Sequence, residues 1–279
     1  MKKLSMIFGV AAMVLFAACS KEGPANSVRK VVLNASMEAT KTSINETTGA
    51  VTWNATDQIK VVDEDGNMLI LPAVEVNGKS AKFEKELKEG EVFGTIKYAF
   101  YPASKFTVSD GNITVTPMGT SPYNSLKDQI PSFANVNGGS ATFTNLFGIL
   151  RMDLVSGDLD GIWSNINCSV SSTKGIFGSY SLVITGDSYT LTPSSSCVAN
   201  VSWSESGFYE GESDKCYFIV PEDAFEGGLT FTVKGISIMS SLSASVTSHN
   251  VKIEKSKLVT LPTLTIYGND LDYKFWIEK

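Results

Sequence analysis

The sequence offers few side chains that could carry catalysis or bind a metal. Its 279 residues include one histidine and four cysteines. The histidine, His249, lies between Ser248 and Asn250, a setting typical of a loop. A lone histidine disfavours Ser-His-Asp and Cys-His hydrolysis and excludes metal sites with several histidines. No C-x-x-C pair occurs, so a cysteine metal site is disfavoured too. We expect no catalytic residue, no metal site and no cofactor.

Two acidic groups could suggest other chemistry. The run from Asp63 to Asn67 contains three acidic residues, but it lacks the spacing and the distal glutamate of a calcium-binding EF-hand loop. Glu222 and Asp223 directly follow Pro221, where we expect them to cap a short turn rather than to act as a glycosidase pair. Both groups therefore predict surface turns, and the sequence as a whole predicts a protein that is not an enzyme.

Composition limits the partners that the chain can have. It contains 23 Lys and Arg against 29 Asp and Glu, a formal net charge of −6, and it has no basic cluster. Nonspecific binding to nucleic acid or to anionic lipid depends on clustered basic residues, so neither is expected. Because 43% of the residues are apolar, packed cores are predicted instead.

The N-terminus has the layout of an export signal. Lys2 and Lys3 precede an apolar run over 4–16, which is shorter than a membrane span, and the small residues 17–18 stand before Cys19. This arrangement resembles a bacterial lipobox, although Phe16 stands where the pattern usually has Leu. We therefore predict a signal peptide over 1–18, lipidation of Cys19 by acyl chains such as palmitate, and a flexible tether over 19–30. The alternative is an ordinary cleaved signal with an incidental cysteine.

Three further cysteines remain in the exported chain, Cys168, Cys197 and Cys216. Export leads to an oxidising compartment, where one disulfide could form and one thiol would be left over. We expect at least two of the three to be buried and reduced.

The body of the chain has the pattern of β-strands. Apolar and polar residues alternate with a period of two, as in strands with one buried and one solvated face. Runs over 147–155 and 216–220 are apolar on both faces and predict central strands. The alternating segments are 96–101, 113–116, 180–185, 229–234 and 251–254.

Glycine-rich turns separate these strands, and many short strands at such spacing predict a β-sandwich. The chain after the tether is long enough for two sandwiches, and the best division lies in the Gly-Asn-rich stretch near 135–140. We therefore predict an all-β protein with an N-terminal sandwich over 31–138 and a C-terminal sandwich over 139–279.

Several motifs occur in a fixed order along residues 31–265. Lys41-Thr42 is followed by a turn and by Trp53-x-x-x-Asp57-x-Ile59. Further along come a Tyr-Pro strand over 98–102, Phe143-x-Asn145-x-x-x-x-Leu150-Arg151-Met152, and strands over 216–221 and 229–233. This ordered set, together with the lipobox, resembles the fimbrillin family in its Mfa-like branch, the lipoprotein pilins (type V) of gut and oral anaerobes.

The resemblance implies two tandem transthyretin-like sandwiches and a surface-exposed lipoprotein of the cell outer membrane. It implies a structural or accessory subunit of a fimbria (a type V pilus) that functions in cell adhesion. The expected partners are the outer membrane, other fimbrial subunits, and a host or bacterial surface ligand. The alternative function is a surface glycan-binding lipoprotein that belongs to an uptake system.

The resemblance also implies assembly by strand exchange, in which a trypsin-like protease removes the first strand and a neighbouring subunit fills the vacated groove. The candidate first strand is 31–39, in which Val31, Leu33, Ala35 and Met37 alternate on one face. Basic residues flank it, with Arg29 before it and Lys41 after it. Cleavage at Lys41 would release the strand, whereas cleavage at Arg29 would leave it attached. The alternative is that Lys41 is a solvated turn residue.

The C-terminal tail is the candidate donor strand. Leu271, Tyr273, Phe275 and Ile277 alternate with polar residues or Trp276. They follow a segment over 267–270 whose Gly-Asn-Asp composition predicts a turn or hinge. The alternative is that this tail closes the sheet of its own domain.

Overall fold

The structure is a computed structural model, and it describes residues 29–37, 52–119, 121–126, 129–156, 163–208, 213–236, 241–249, 251–266 and 271–272. The all-β prediction is confirmed: the described residues form strands joined by turns and one short 3₁₀ turn, Ala103–Lys105. The strands are β1 (Lys30–Met37), β2 (Gln58–Asp63), β3 (Met68–Asn77), β4 (Ser80–Glu86), β5 (Ile96–Tyr101), β6 (Phe106–Ser109), β7 (Asn112–Val115), β8 (Ser132–Asn137), β9 (Ser140–Asn145), β10 (Gly148–Ser156), β11 (Trp163–Ser172), β12 (Tyr180–Thr185), β13 (Ser188–Pro193), β14 (Asn200–Phe208), β15 (Ser213–Val220), β16 (Leu229–Ile236), β17 (Ser241–Ser248), β18 (Leu258–Thr260), β19 (Leu264–Ile266) and β20 (Leu271–Asp272).

The first strands form a closed ring. Hydrogen bonds connect them in the order β1-β4-β3-β2-β5-β8-β9, and β9 completes the ring by pairing with β1. The ring encloses an apolar core that includes Leu33, Ile59, Leu71 and Phe83, each of them fully buried. Burial of one face along each strand explains the period of two in the sequence.

The C-terminal strands form two sheets that pack face to face. One sheet has the order β15-β10-β19-β20, with β18 also paired to β10, and the other has the order β14-β11-β16-β17. Leu150 and Phe218 of the first sheet share a core with Val170 and Phe231 of the second. This arrangement is a β-sandwich, and both predicted central strands, β10 and β15, lie in it.

A fourth sheet joins the two halves of the chain. Its order is β13-β12-β7-β6, so the β6–β7 hairpin of the first half pairs with the β12–β13 hairpin of the second. Phe100, Phe106, Phe147, Tyr180 and Tyr217 fill the core beneath it. The predicted cut between residues 138 and 139 falls inside the β8–β9 hairpin, whose strands both belong to the ring. The division into 31–138 and 139–279 stays a prediction.

One predicted strand is absent. Val251 and Ile253 are buried and Lys252 is exposed, as the alternation predicts, but residues 251–254 do not form a strand. Their backbone instead meets the turn at Asp223, whose amide donates to the Ile253 carbonyl at 3.1 Å. In the described part of the chain there is no helix of sufficient length and apolarity to cross a membrane.

Candidate strand-exchange site

The first strand, β1, is inserted between two partners. It runs antiparallel to β4, from the pair Lys30–Glu86 to the pair Ser36–Ser80. On its other side it runs parallel to β9, from Asn34–Ser140 to Met37–Phe143. An N-terminal strand in this position closes the ring, and its loss would open a groove between β4 and β9.

The inward face of β1 supplies part of the ring core. Val31, Leu33, Ala35 and Met37 are all buried, with Leu33 completely enclosed. The predicted inward face of the 31–39 segment is therefore correct for the four residues named, although the observed strand starts at Lys30 and ends at Met37.

An aromatic cluster lies in the same core. The indole of Trp53 meets Phe83, Tyr101 and Phe143 edge to face, with ring centroids 5.0, 4.9 and 5.4 Å apart. Phe83 belongs to β4 and Phe143 to β9, the two strands that hold β1. Removal of β1 would expose this apolar surface, so a vacated groove would need a replacement strand with apolar alternate residues.

The outward face of β1 carries its charge pairs. Lys30 Nζ lies 2.6 Å from Glu84 Oε1 and 3.4 Å from Glu86 Oε1, both on β4. The hydrogen bond to Glu84 is the main reason that the pKa of Lys30 is raised above its ordinary value. Lys30 and Glu86 are exposed and Glu84 is half-buried, so these ion pairs contribute little to the stability of the fold.

Pairing with β9 covers only the second half of β1. Between Lys30 and Leu33 no residue of β9 is in register, although the Asn34 amide donates to the Gly139 carbonyl at 3.0 Å. A cavity of about 290 Å³ lies beside the first half of β1, next to Val31, Phe93 and Val136. The start of β1 is thus bonded to one neighbouring strand and its end to two.

The residues predicted for processing flank this strand in the sequence. Arg29 is exposed, and its carbonyl accepts a 2.8 Å hydrogen bond from the Leu87 amide. Lys41 and the lipidation candidate Cys19 lie outside the described residues. The other arginine, Arg151, is on β10, where its guanidinium holds Asp153 through two hydrogen bonds of 2.7 and 2.8 Å.

The candidate donor strand is described only at its start. Leu271 and Asp272 form β20, which pairs antiparallel with Ile266 and Thr265 of β19. Tyr273, Phe275 and Ile277 lie outside the described residues. The first two residues of the tail therefore pair with the C-terminal sheet, and donation of the tail to another subunit stays a prediction.

The acidic turn that begins at Asp63 has a structural role. Asp63 is 1% exposed, and its carboxylate accepts hydrogen bonds from the amides of Asp65, Asn67 and Gly94 and from Asn67 Nδ2, at 2.7–3.0 Å. Desolvation acts to raise the pKa of Asp63, but these hydrogen bonds outweigh it, and the pKa is lowered. The prediction of a turn with surface acids is wrong for Asp63, because this acid is the buried centre of the turn.

The remaining candidate groups are dispersed. No cluster of three or more potential metal ligands occurs in the described residues. Glu222 and Asp223 are exposed in a turn, and His249 is exposed at the end of β17. Cys168 and Cys216 are buried, as expected for two of the three, whereas Cys197 is half-buried with its thiol donating to the Ser179 carbonyl at 3.2 Å.

Sequence reasoning did not identify β9 as a partner of β1. The two strands are more than one hundred residues apart and pair in parallel, which no local pattern reports. The local pattern that indicates a strand at β9 is the alternation of Ala141 and Phe143, both buried, with exposed or half-buried threonines.

No protein-family model and no curated protein matches the sequence. Among solved structures, a candidate cell adhesion protein from Bacteroides ovatus is similar with a TM-score of 0.56 and 13% identity, over 88% of this chain and 95% of that chain. A candidate adhesin from Bacteroides thetaiotaomicron has a TM-score of 0.40 and 8% identity, over 91% and 98%. A fimbrial protein from Bacteroides ovatus has a TM-score of 0.32 and 12% identity, over 88% and 50%. The likeness to the first of these structures shows a common all-β fold.

Proposed function

We propose that the chain is a fimbrillin-family lipoprotein of the cell surface, a structural or accessory subunit of a fimbria that assembles by strand exchange. It is anchored in the outer membrane through acylated Cys19, contacts other fimbrial subunits, serves adhesion and performs no catalysis. The observation that carries the proposal is the position of β1, an N-terminal strand that fills the gap between β4 and β9 with four buried side chains.

Two further kinds of observation, the resemblance in sequence and the likeness in fold, support this proposal. The order of the motifs over residues 31–265 resembles that of the fimbrillin family, and the N-terminus resembles a lipobox. The fold is similar to that of a candidate cell adhesion protein from Bacteroides ovatus. Both agree with a secreted all-β subunit whose function depends on its surfaces and strand edges rather than on a reaction centre.

The energetics of the groove support strand exchange. Removal of β1 would leave one edge of β4 and one edge of β9 without backbone partners and would expose the core around Phe83 and Phe143. Unpaired backbone groups and exposed apolar surface are both unfavourable, so an incoming strand with alternating apolar residues restores the lost interactions. In the proposed assembly the tail over 271–277 supplies that strand.

A disulfide that locks β1 onto β4 tests the proposal. At one end of the paired segment the Leu87 amide donates to the Arg29 carbonyl, and at the other end the Met37 amide donates to the Lys79 carbonyl. Hydrogen-bonded and non-hydrogen-bonded pairs alternate along an antiparallel ladder. The outward pair Ser36–Ser80 is therefore a non-hydrogen-bonded pair, the closer-spaced type in which two cysteines can form a disulfide. We expect S36C/S80C, incubated with a trypsin-like protease, to assemble into fibres when reduced and to stay monomeric when oxidised, as observed by electron microscopy.

The single variant S36C is the matched control, and it should assemble under both conditions. Equal assembly of the oxidised and reduced double variant would contradict exchange of β1. Failure of the reduced double variant and of the wild-type chain to assemble after proteolysis would contradict the fimbrial role itself.

A further inference from the structure

A cleft of mixed polar and apolar lining, with a volume of about 920 Å³, lies on the outer surface of the ring. Its floor is the outward face of β1, β4 and β9, including Asn34 and Lys82. The cleft is also lined by Asn135 of β8, by Asp187 and Tyr189 of the β12–β13 hairpin, and by Lys255, four residues that together are called the wall. The volume lies within the range typical of sites for small molecules and short oligomers.

Interactions within the wall hold it in place before any ligand arrives. Asn135 Nδ2 donates to the Gly186 carbonyl at 3.0 Å and to Asp187 Oδ1 at 3.1 Å. The Tyr189 hydroxyl donates to the Leu146 carbonyl at 3.3 Å, and Lys255 Nζ lies 4.7 Å from the centre of the Tyr189 ring. A wall fixed by such contacts loses little conformational entropy on binding.

The lining is about evenly polar and apolar and carries no net charge. It contains two acidic residues, Glu75 and Asp187, and two basic ones, Lys82 and Lys255. Lys82 Nζ lies 3.6 Å from Glu75 Oε1 and 3.3 Å from Glu84 Oε2, so its charge already has partners. A site for an anion needs cationic groups that converge on it, and this lining does not provide them.

The chemistry of the remaining lining points to a ligand rich in hydroxyl groups. Asn34 is exposed on the floor, and its side-chain amide can both donate and accept hydrogen bonds, as adjacent sugar hydroxyls require. The Asp187 carboxylate on the wall adds an exposed acceptor. We propose that this cleft binds a neutral saccharide.

An extended peptide fits this cleft less well. β1 lies in the floor between β4 and β9, and its residues 34–36 are paired with both of these strands. Strand addition requires a free edge, which the floor lacks. The proposal is independent of strand exchange, since it concerns the intact chain with β1 in place.

Titration of the intact monomer with neutral hexasaccharides tests the proposal. We would use maltohexaose, cellohexaose, mannohexaose and xylohexaose at millimolar concentration and follow binding by calorimetry. We expect at least one to bind, and Asn34→Ala and Asp187→Ala each to lower the affinity about tenfold, the effect of losing one well-formed hydrogen bond to the ligand. Asn167→Ala, an exposed asparagine on β11, is the matched control and should bind as the wild type does.

Melting temperatures of all variants should stay close to that of the wild type, because each substituted side chain is exposed and Asp187 and Asn167 each lose only one exposed hydrogen bond, to Asn135 and to Ser204. This measurement separates lost ligand contacts from lost folding. Absence of binding by all four sugars would overturn the proposal, as would equal binding by the cleft variants and the control. Tighter binding of a polyanionic sugar or of a short peptide at the cleft would also overturn it. Because no assembly step is measured, these results stand apart from the test of the fimbrial role.

Discussion

Leu33 of β1 lies directly opposite Phe83 of β4, and both side chains are completely buried. The pair connects the strand that we propose is exchanged to a strand that stays in the ring. Its apolar contact contributes to the stability of the intact chain, and the same surface of Phe83 would receive a side chain of an incoming strand.

Truncation of Leu33 tests how firmly β1 is held. We expect Leu33→Ala to lower the free energy of unfolding by about 2–5 kcal/mol, because it removes buried methyl groups and leaves a cavity beside Phe83. Asn34→Ala, at the neighbouring exposed position, should change that free energy by less than about 0.5 kcal/mol. Urea denaturation of the two variants and the wild type measures both values, and equal effects would show that β1 contributes little to the core.

Asp63 should make stability depend on pH in the acid range. Its pKa is lower in the folded chain than its ordinary value near 4, so the unfolded chain takes up the proton first as pH falls. The stabilisation is therefore present above about pH 4 and is lost as pH falls through the folded pKa.

Asp63→Asn tests this contribution. The amide cannot accept all the hydrogen bonds that the carboxylate accepts, so we expect about 1–3 kcal/mol of lost stability at pH 7. The difference between wild type and variant should shrink at pH 3, as measured by urea denaturation at both pH values. A difference that stays constant with pH would show that the charge of Asp63 has no part in it.

Gly148 marks a close approach of two segments. A Cβ atom at this position would lie 2.4 Å from Ile253 Cγ2 and 2.6 Å from the Glu254 carbonyl oxygen. Because a backbone atom would have to move, we expect Gly148→Ala to lower the unfolding free energy by about 1–3 kcal/mol. Gly119→Ala has open space around it and should leave stability unchanged or slightly higher. Similar thermal melts for the two variants would contradict the close packing of 251–254 on β10.

The tail can be tested by deletion of residues 268–279. If the tail is donated to a neighbouring subunit, it is not part of the core of its own monomer, so the truncated monomer, which loses strand β20, should melt within a few degrees of the full chain. Fibre formation should be lost, because the proposed donor strand is gone. A collapse of monomer stability would instead assign the tail to its own sheet and contradict donation.

Local patterns predicted the strands better than their partners. The alternation in β1 correctly predicted which of its residues face the core, because burial of one face imposes a period of two. The pairing of β7 with β12, and of β1 with β9, joins residues far apart in sequence, and no local pattern encodes it. In residues 251–254 the pattern predicted a strand that does not form. Their burial alternates, but the Ile253 carbonyl accepts a hydrogen bond from a turn instead of from a neighbouring strand.

The same reasoning explains which parts of the candidate sites were found. β1 was predictable because its apolar alternation lies in one continuous segment. The cleft was not, because Asn34, Asn135, Asp187 and Lys255 come from separate segments and are residue types common on any surface. Only the topology that packs the β12–β13 hairpin beside the ring brings them together.

Mass spectrometry of the subunit taken from assembled fibres tests strand exchange most directly. If β1 is removed before assembly, the chain in the fibre begins at Thr42 and its peptides over 30–37 are missing, while the cell-associated precursor begins at acylated Cys19. Fibres whose subunits retain residues 30–37 would contradict the proposed exchange of β1.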